Sequence, residues 1–567
     1  MKRSMILVSL LLSGALALTA CTSDQSGTTE EVKETAVYDV AEKNQPEATT
    51  DTAAIGNGLN AESADTVKTA KDAGVFTVED GDFVNHAQGY RVAMIDDLEV
   101  VDMGDATYRS TLANDDTRLE IFTQTLDDID AKTYLSYSNR FLENTWDFTK
   151  NADETLKDNG RTTHILAWER RSLSKIEGDR NHYGIVDIVE GDNVYCFLVS
   201  SSKAVSTDML KEIADSVETF EPTVTAKEYP HFARSLSSKT QETQDFYNKY
   251  FSDDADLTWG VFEPSVGGTY LKGLIDLENR MEHHFDIALH YSGLKEEYDT
   301  SIYSMLDSLW AHGTVCELTV QTELYDPTSQ NNAVYDILEG KYDTYIRSLA
   351  KDIARFGHPV LFRPFNEMNG DWCNYSAYWS ARDCDTYIEL YRYLYNIFEE
   401  EGANKNTLWI WNPNERSFPN FAWNYEDNYY PGDEYVDIIG LTGYNTGDYY
   451  DGETWRSFKE IYDPIYAKIA PQYKQPLMIT EFSSSDYGGD KAQWVEDMFT
   501  DLKHYPRIKA AVWWNGADKD ADGNIARSYY IDNNAKAFRA LCKHLKEKDY
   551  QPLETDDSGA LLRNYRQ

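Results

Sequence analysis

From about Tyr229 onward the chain alternates short apolar runs with longer amphipathic stretches, and it does so eight times. The strand-like runs are Leu257 to Glu263, Asp286 to Tyr291, Thr314 to Gln321, Pro359 to Phe365, Thr407 to Asn412, Val436 to Tyr444, Pro476 to Thr480 and Ile508 to Trp514. Between several of them apolar residues recur at helical spacing, as in Tyr342, Tyr345, Ile346, Leu349, Ile353 and Phe356, or Tyr387, Ile388, Tyr391, Leu394, Tyr395 and Phe398. Strand and helix repeated in this way predict a (β/α)8 barrel over residues 230–548. An open doubly wound sheet would want a glycine-rich phosphate turn after its first strand, and Trp259-Gly260-Val261-Phe262-Glu263-Pro264 is no such turn.

Barrels of this kind carry their reacting groups at the C-terminal ends of the strands. Two carboxylates stand there: the fourth run, PVLFRPFNEMNGDW, ends on Asn366-Glu367, and the seventh, PLMITEF, ends on Glu481. Breaking a glycosidic bond takes one carboxyl to protonate the departing oxygen and another to attack or stabilise the sugar carbon. Alternation along the fourth strand puts Arg363 on the side of Glu367, inside the barrel, where a guanidinium needs a carboxylate partner. Glu481 is the expected partner, which would keep it ionised as the nucleophile and leave Glu367 protonated as the acid.

The segments Arg363 to Trp372 and Ile479-Thr480-Glu481-Phe482 resemble the two signatures of glycoside hydrolase family 26, and the resemblance covers about residues 230–548. It implies a retaining hydrolase of β-linked polysaccharide, most often β-1,4-mannan, with mixed-linkage β-glucanases and β-1,3-xylanases as other members. It implies further that Glu367 is the acid/base and Glu481 the nucleophile. By the same resemblance Trp372 lies beside the cleavage point, Tyr444 hydrogen-bonds the nucleophile, and Trp513 or Trp514 underlies the sugar being cleaved. Two positions depart from the mannanases: Asn366 replaces a histidine, and the third strand closes on Gln321 and Thr322 in place of a Trp-His pair. Both are sugar contacts in the family, so Gln321 is expected to touch substrate and Asn366 to donate to the sugar 2-hydroxyl.

Eleven of the thirteen tryptophans lie in this half of the chain. Trp379, Trp411, Trp423, Tyr429, Tyr430, Tyr449, Tyr450 and Trp455 fall at or after strand ends, and as a group they suggest a long cleft for stacked sugar rings and endo-acting cleavage. Asp518-Lys519-Asp520-Ala521-Asp522-Gly523-Asn524 copies the first half of a calcium loop, but Tyr529 stands where the bidentate glutamate belongs, which favours a hydrophilic turn. No cofactor or metal is expected.

The rest of the chain is organised differently. Residues 1–20, MKRSMILVSLLLSGALALTA, read as an export signal, and Leu18-Thr19-Ala20-Cys21 resembles a lipobox whose Cys21 becomes acylated. Residues 22–74 are poor in apolar side chains and read as a tether. From 75 to 225 short strands dominate: Arg118 to Gln124 alternates, Tyr183 to Val189 and Val194 to Ser200 form a hairpin, and Thr207 to Phe220 carries an apolar helical face. This small α+β domain is loosely similar to Mog1/PsbP-like lipoprotein domains, and is read as a spacer or docking domain, with a carbohydrate-binding module as the alternative. Residues 549–567 form a tail.

A net charge of -44 disfavours nucleic acid and anionic membrane surfaces as partners and suits a neutral polysaccharide. The remaining expectations are a monomer anchored by lipid at a bacterial cell surface. A non-catalytic glycan-binding lipoprotein and a transport binding lipoprotein share the leader; the paired glutamates argue against both. The scattered cysteines form no framework, and Cys373 and Cys384 could either bridge a loop or remain thiols.

Overall fold

A computed structural model describes residues 61–556 and 561–562, except 128, 159, 296 and 323–331. The export signal, Cys21 and most of the tether lie outside the described residues, as does most of the tail beyond 556.

Eight parallel strands close into a barrel: Thr258–Phe262, Ile287–Gly293, Val315–Gln321, Val360–Pro364, Thr407–Trp411, Ile438–Asn445, Leu477–Ser484 and Ile508–Trp514, the eighth pairing with the first. Side chains alternate across each strand, so one set fills the barrel and the other faces the helices. The interior set includes Phe262, Leu289, Val315, Leu361, Ile410, Met478 and Val512. The outer set, among it Leu318, Phe362, Trp409, Trp411, Ile479 and Trp513, packs against the apolar stripes of the helices. The helix Asp343–Phe356, for instance, buries Tyr345, Ile346, Leu349, Ile353 and Phe356 and ends at Gly357 in the left-handed conformation. Where the second and third strands begin, Glu278 accepts from the Phe285 N–H (2.9 Å) and hydrogen-bonds His312 Nε2 (2.8 Å), tying two helix ends to the sheet.

The first domain is built mostly of antiparallel strands, in a seven-stranded and a four-stranded sheet. Its hairpin pairs His182–Glu190 with Asn193–Ser201 across Gly191, whose φ of 60° makes the turn. The helix Thr207–Ser216 is capped by Ser206 and buries Leu210 and Ile213. The helix Ala61–Asp72 lies within the stretch read as tether; it packs beside the strand Glu99–Asp102, where Thr66 Oγ1 donates to Asp102 Oδ1 (2.9 Å).

Both faces of the seven-stranded sheet are apolar. One carries Ile121, Val186, Ile188 and Phe197 into the domain's own core. The other carries Phe122, Trp168, Tyr183 and Leu198 into a core continuous with that of the barrel. Buried ions cross the same boundary. Arg382 and Asp187 are both 0% exposed and lie 3.2 Å apart; Arg382 also donates to Asn139 Oδ1 (2.5 Å) and to the Ser138 carbonyl (3.0 Å). Arg118 meets Asp385 at 2.6 Å, and the Tyr183 hydroxyl donates to Asp383 at 2.7 Å. A charge left unpaired here would be expensive, so the two domains are expected to unfold as one unit. Arg382→Met should lower the unfolding free energy by about 3–5 kcal/mol, in a single urea transition shared by near- and far-ultraviolet circular dichroism. Two separate transitions, or an unchanged midpoint, would contradict this.

Candidate active site

Each part of the site comes from the C-terminal end of a barrel strand. The fourth strand ends at Pro364, earlier than its sequence pattern suggests, because Phe365 (φ 51°) and Glu367 (φ 57°) leave it in the left-handed conformation. That path, together with the Glu367 N–H donating to the Asn412 carbonyl (2.7 Å), sets the backbone of Glu367. The seventh strand runs through Glu481 to Ser484 and contains a bulge: Leu441 pairs with Ile479 and Thr442 with Glu481, leaving Thr480 unmatched. Met478 faces the interior and Ile479 the helices, so strict alternation would turn Glu481 outward. The extra residue turns it in.

Arg363 is completely buried and sits at the hub. Its Nη2 reaches Glu481 Oε2 (3.1 Å), Nη1 donates to Asn412 Oδ1 (2.9 Å) and Nε to Thr319 Oγ1 (2.7 Å). A second carboxylate, Glu317 on the third strand, lies 3.0 Å from Nε. It accepts no hydrogen bond, because that N–H points at Thr319. The Tyr291 hydroxyl donates to the same Glu481 oxygen that Arg363 contacts.

Burial pushes Glu481 up to about 8, and the Asp518 carboxylate adds to it. Burial likewise raises Glu317 to about 8 against the pull of Arg363. One guanidinium cannot neutralise two buried carboxylates, so the trio retains a proton well above the ordinary glutamate range. Two donors converge on Glu481 and none on Glu317, which places the proton on Glu317 and the negative charge on Glu481. The expected acidity of Glu481 is thus corrected in its cause: Arg363 is shared, and the charge on Glu481 depends on Tyr291 as well.

Glu367 is half-buried, and burial raises its carboxyl above the usual range against the hydrogen bond from Asn414 Nδ2 (2.6 Å) first and the Arg363 charge after it. The Trp372 ring lies over Gly370, where a Cβ would stand 2.5 Å from it, so only glycine admits that approach. Asn366 is buried with its side-chain oxygen unpartnered beside this acid.

The remaining residues divide by the side of the strand they occupy. Trp514 is half-exposed and stacks on Phe262 (5.4 Å, 16°), so it is the member of the Trp513–Trp514 pair that can present a face to a ligand. Trp513 is buried on the helix side, its indole donating to the Tyr529 carbonyl (3.0 Å). Trp411 is likewise fully buried, stacked on Tyr473 (5.5 Å), and cannot touch substrate. Tyr444 makes no hydrogen bond to Glu481; its ring packs on Tyr529 (5.0 Å), and Tyr291 takes the place assigned to it. Gln321 ends the third strand half-buried. Trp379, Trp423, Tyr429 and Tyr430 are buried packing, whereas Tyr449, Tyr450 and Trp455, after the sixth strand, remain half-exposed.

The motif at 518–524 is a hairpin turn: Ala517–Lys519 pairs with Ile525–Ser528, Asp518 is bound to Arg527 (2.9 Å), and Asp520 accepts from the Asn524 N–H (2.8 Å). Cys373 and Cys384 are separate buried thiols. Tyr291, Glu317, Asn412 and Asn414 were not singled out from sequence. Period-two alternation would have placed Glu317 inside, on the side of Val315 and Thr319. Nothing local marks Tyr291, since its partner lies 190 positions away.

A closed barrel with paired glutamates at the ends of its fourth and seventh strands has the arrangement of the barrel glycoside hydrolases. Residues 314–487, from the third strand through the seventh, match the model of glycosyl hydrolase family 26, so the barrel carries a domain of that family. The chain is 33% identical over 226 residues to Endoglucanase H of Acetivibrio thermocellus, a match covering 39% of this chain and 24% of that one. It is 26% identical over 270 residues to a mannan endo-1,4-beta-mannosidase of Bacillus subtilis strain 168, covering 43% and 68%. The catalytic domain of an endo-beta-1,4-mannanase from Bacillus sp. JAMB-750 aligns over 57% of this chain and 94% of its own at 19% identity and a TM-score of 0.44.

Since Glu317 is raised from 4.5 to about 8, the folded chain holds a proton that the unfolded chain releases, and stability should fall as pH rises across that window. Glu317→Gln mimics the protonated form and removes that titration. Its stability should fall less than the wild type's between pH 5 and pH 8, by up to about 1.4 kcal/mol per pH unit, measured by urea unfolding. Parallel curves would show that Glu317 does not titrate there.

Proposed function

We propose that the chain is a retaining endo-β-glycanase acting on a neutral β-linked polysaccharide outside the cell, with β-1,4-mannan as its first substrate. The observation that carries this is the unequal surroundings of the two glutamates. Glu481 receives two donors on one oxygen, as a nucleophile kept ionised in a buried place would. Glu367 is raised by burial and held by Asn414, as a proton donor would be.

In the first step Glu481 forms a bond to the anomeric carbon as the glycosidic C–O bond breaks, and the proton of Glu367 goes to the departing oxygen. In the second, Glu367 takes a proton from water, whose oxygen displaces Glu481 and restores both carboxyls. Asn366, with a free buried acceptor, would meet a sugar hydroxyl, while Trp514 and Trp372 would offer ring faces on either side. Mannan is favoured by the mannosidase relatives; the endoglucanase relative and the changed residues at 366 and 321 keep mixed-linkage glucan and β-1,3-xylan as alternatives. A basic and apolar leader followed by Cys21 supports a lipid-anchored protein at the cell surface.

Purified protein should release oligosaccharides from mannan or one of these glycans, with the β-anomer appearing first by proton NMR. Release of the α-anomer would reject retention, and absence of product from every β-glycan would reject the activity. Glu481→Ala should lower the rate at least about a thousandfold. Glu367→Ala should do so only for substrates whose leaving group needs a proton.

Tyr291→Phe removes a donor to the ionised nucleophile and should move the acidic limb of the kcat/KM profile to higher pH. An unmoved limb would separate Tyr291 from Glu481.

A further inference from the structure

The loop that carries the proton donor is held from outside the barrel. Between Phe365 and Arg382 four non-glycine residues adopt left-handed backbone: Phe365, Glu367, Ala381 and Arg382, at φ 51°, 57°, 65° and 60°. Each such residue is strained and persists only where its surroundings over-determine it. The first domain supplies those surroundings. At the far end of the loop Arg382 is locked by Asp187, Asn139 and the Ser138 carbonyl. In its middle, the hydroxyl of Tyr137 donates to Asp371, and the Tyr137 ring lies 5.0 Å from that of Tyr378. The Asp371 carbonyl accepts from the Trp379 indole (2.6 Å). The next residue, Trp372, lies over Gly370, whose N–H donates to the Glu367 carbonyl (2.9 Å), and packs on Phe418 (5.3 Å).

Tyr137, Ser138 and Asn139 belong to one short helix and its C-cap, Ala131–Asn139. That helix therefore grips the loop at two points on either side of Trp372. From this juxtaposition we propose that the N-terminal domain is a working part of the active site, with Tyr137 as a positioning residue that holds the Asp371–Trp372 turn against Glu367. The domain is then neither a spacer nor a separate sugar-binding module. Without the hydroxyl, Asp371 is left half-buried with one partner fewer, and Trp372 loses the anchor that keeps its indole over the Glu367–Gly370 turn.

This rests on the proposed role of Glu367, and the test separates the two. The full chain and its Tyr137→Phe and Asp371→Asn variants are assayed on a β-linked oligosaccharide and on a dinitrophenyl β-glycoside, whose leaving group departs without a proton. The readout is kcat/KM, which reports the bond-breaking step. Both variants should lose about tenfold or more on the oligosaccharide while staying within about twofold on the dinitrophenyl glycoside. Arg118→Met, which breaks the contact with Asp385 and touches nothing near Glu367, should lower stability without changing the ratio of the two rates. Equal losses on both substrates, or no loss, would overturn the positioning role. If the wild type cleaves the dinitrophenyl glycoside and Glu367→Ala loses no more on the oligosaccharide than on it, the acid assignment fails first and the inference falls with it.

Discussion

The site depends on one guanidinium sealed inside a barrel. Arg363 has no access to water, and its desolvation must be offset by groups that the barrel brings from four other strands: Glu317 and Thr319 from the third, Asn412 beyond the fifth, Glu481 from the seventh and, through Glu481, Tyr291 from the second. A buried ion pair of this kind is poor evidence of net stability, because similar burial of apolar side chains would cost less. It sets geometry and charge instead. The cation is shared by two carboxylates, and the hydrogen bonds decide which of them carries the proton. The same bonds orient Glu481 toward the mouth of the barrel, so charge state and direction have one cause.

The two glutamates are held by different means. Glu481 sits within a strand, turned inward by a bulge and fixed by the barrel interior. Glu367 sits past a strand end on a strained loop whose fixation comes from Asn412 and Asn414 on one side and from the N-terminal domain on the other. The proposed nucleophile must be aimed at one carbon, and an element of a sheet does that. The proposed proton donor must keep a raised carboxyl and later return as a base, and a loop packed by aromatic rings provides such an environment. The continuous apolar core between the domains and the buried Arg382–Asp187 pair give that loop a rigid backing.

Much of this was legible in the chain. All eight barrel strands were placed from apolar runs and helical spacing, because burial on both faces of a parallel sheet leaves continuous apolar segments that survive as a local pattern. Glu367 and Glu481 were singled out because barrel chemistry is confined to strand ends, and the barrel sets Arg363 against Glu481 as the alternation implied. The misplacements share a cause. Trp411 and Trp513 were assigned to substrate because they end strands, but each has the parity that faces the helices, and which parity faces inward is settled when the barrel closes.

By itself, then, the sequence determined the barrel, its order of strands and the pair of carboxylates, since these follow from periodicity and from residue type at strand ends. Only the tertiary structure decided how the pair is used. It made Tyr291 the partner of Glu481 where Tyr444 had been expected, added Glu317 to the arginine's charge balance, and turned Glu481 inward through an unmatched Thr480. It also set a helix of the first domain against the acid's loop. These depend on groups far apart in the chain that meet only when the barrel closes and the domains dock, and no local pattern records such a meeting.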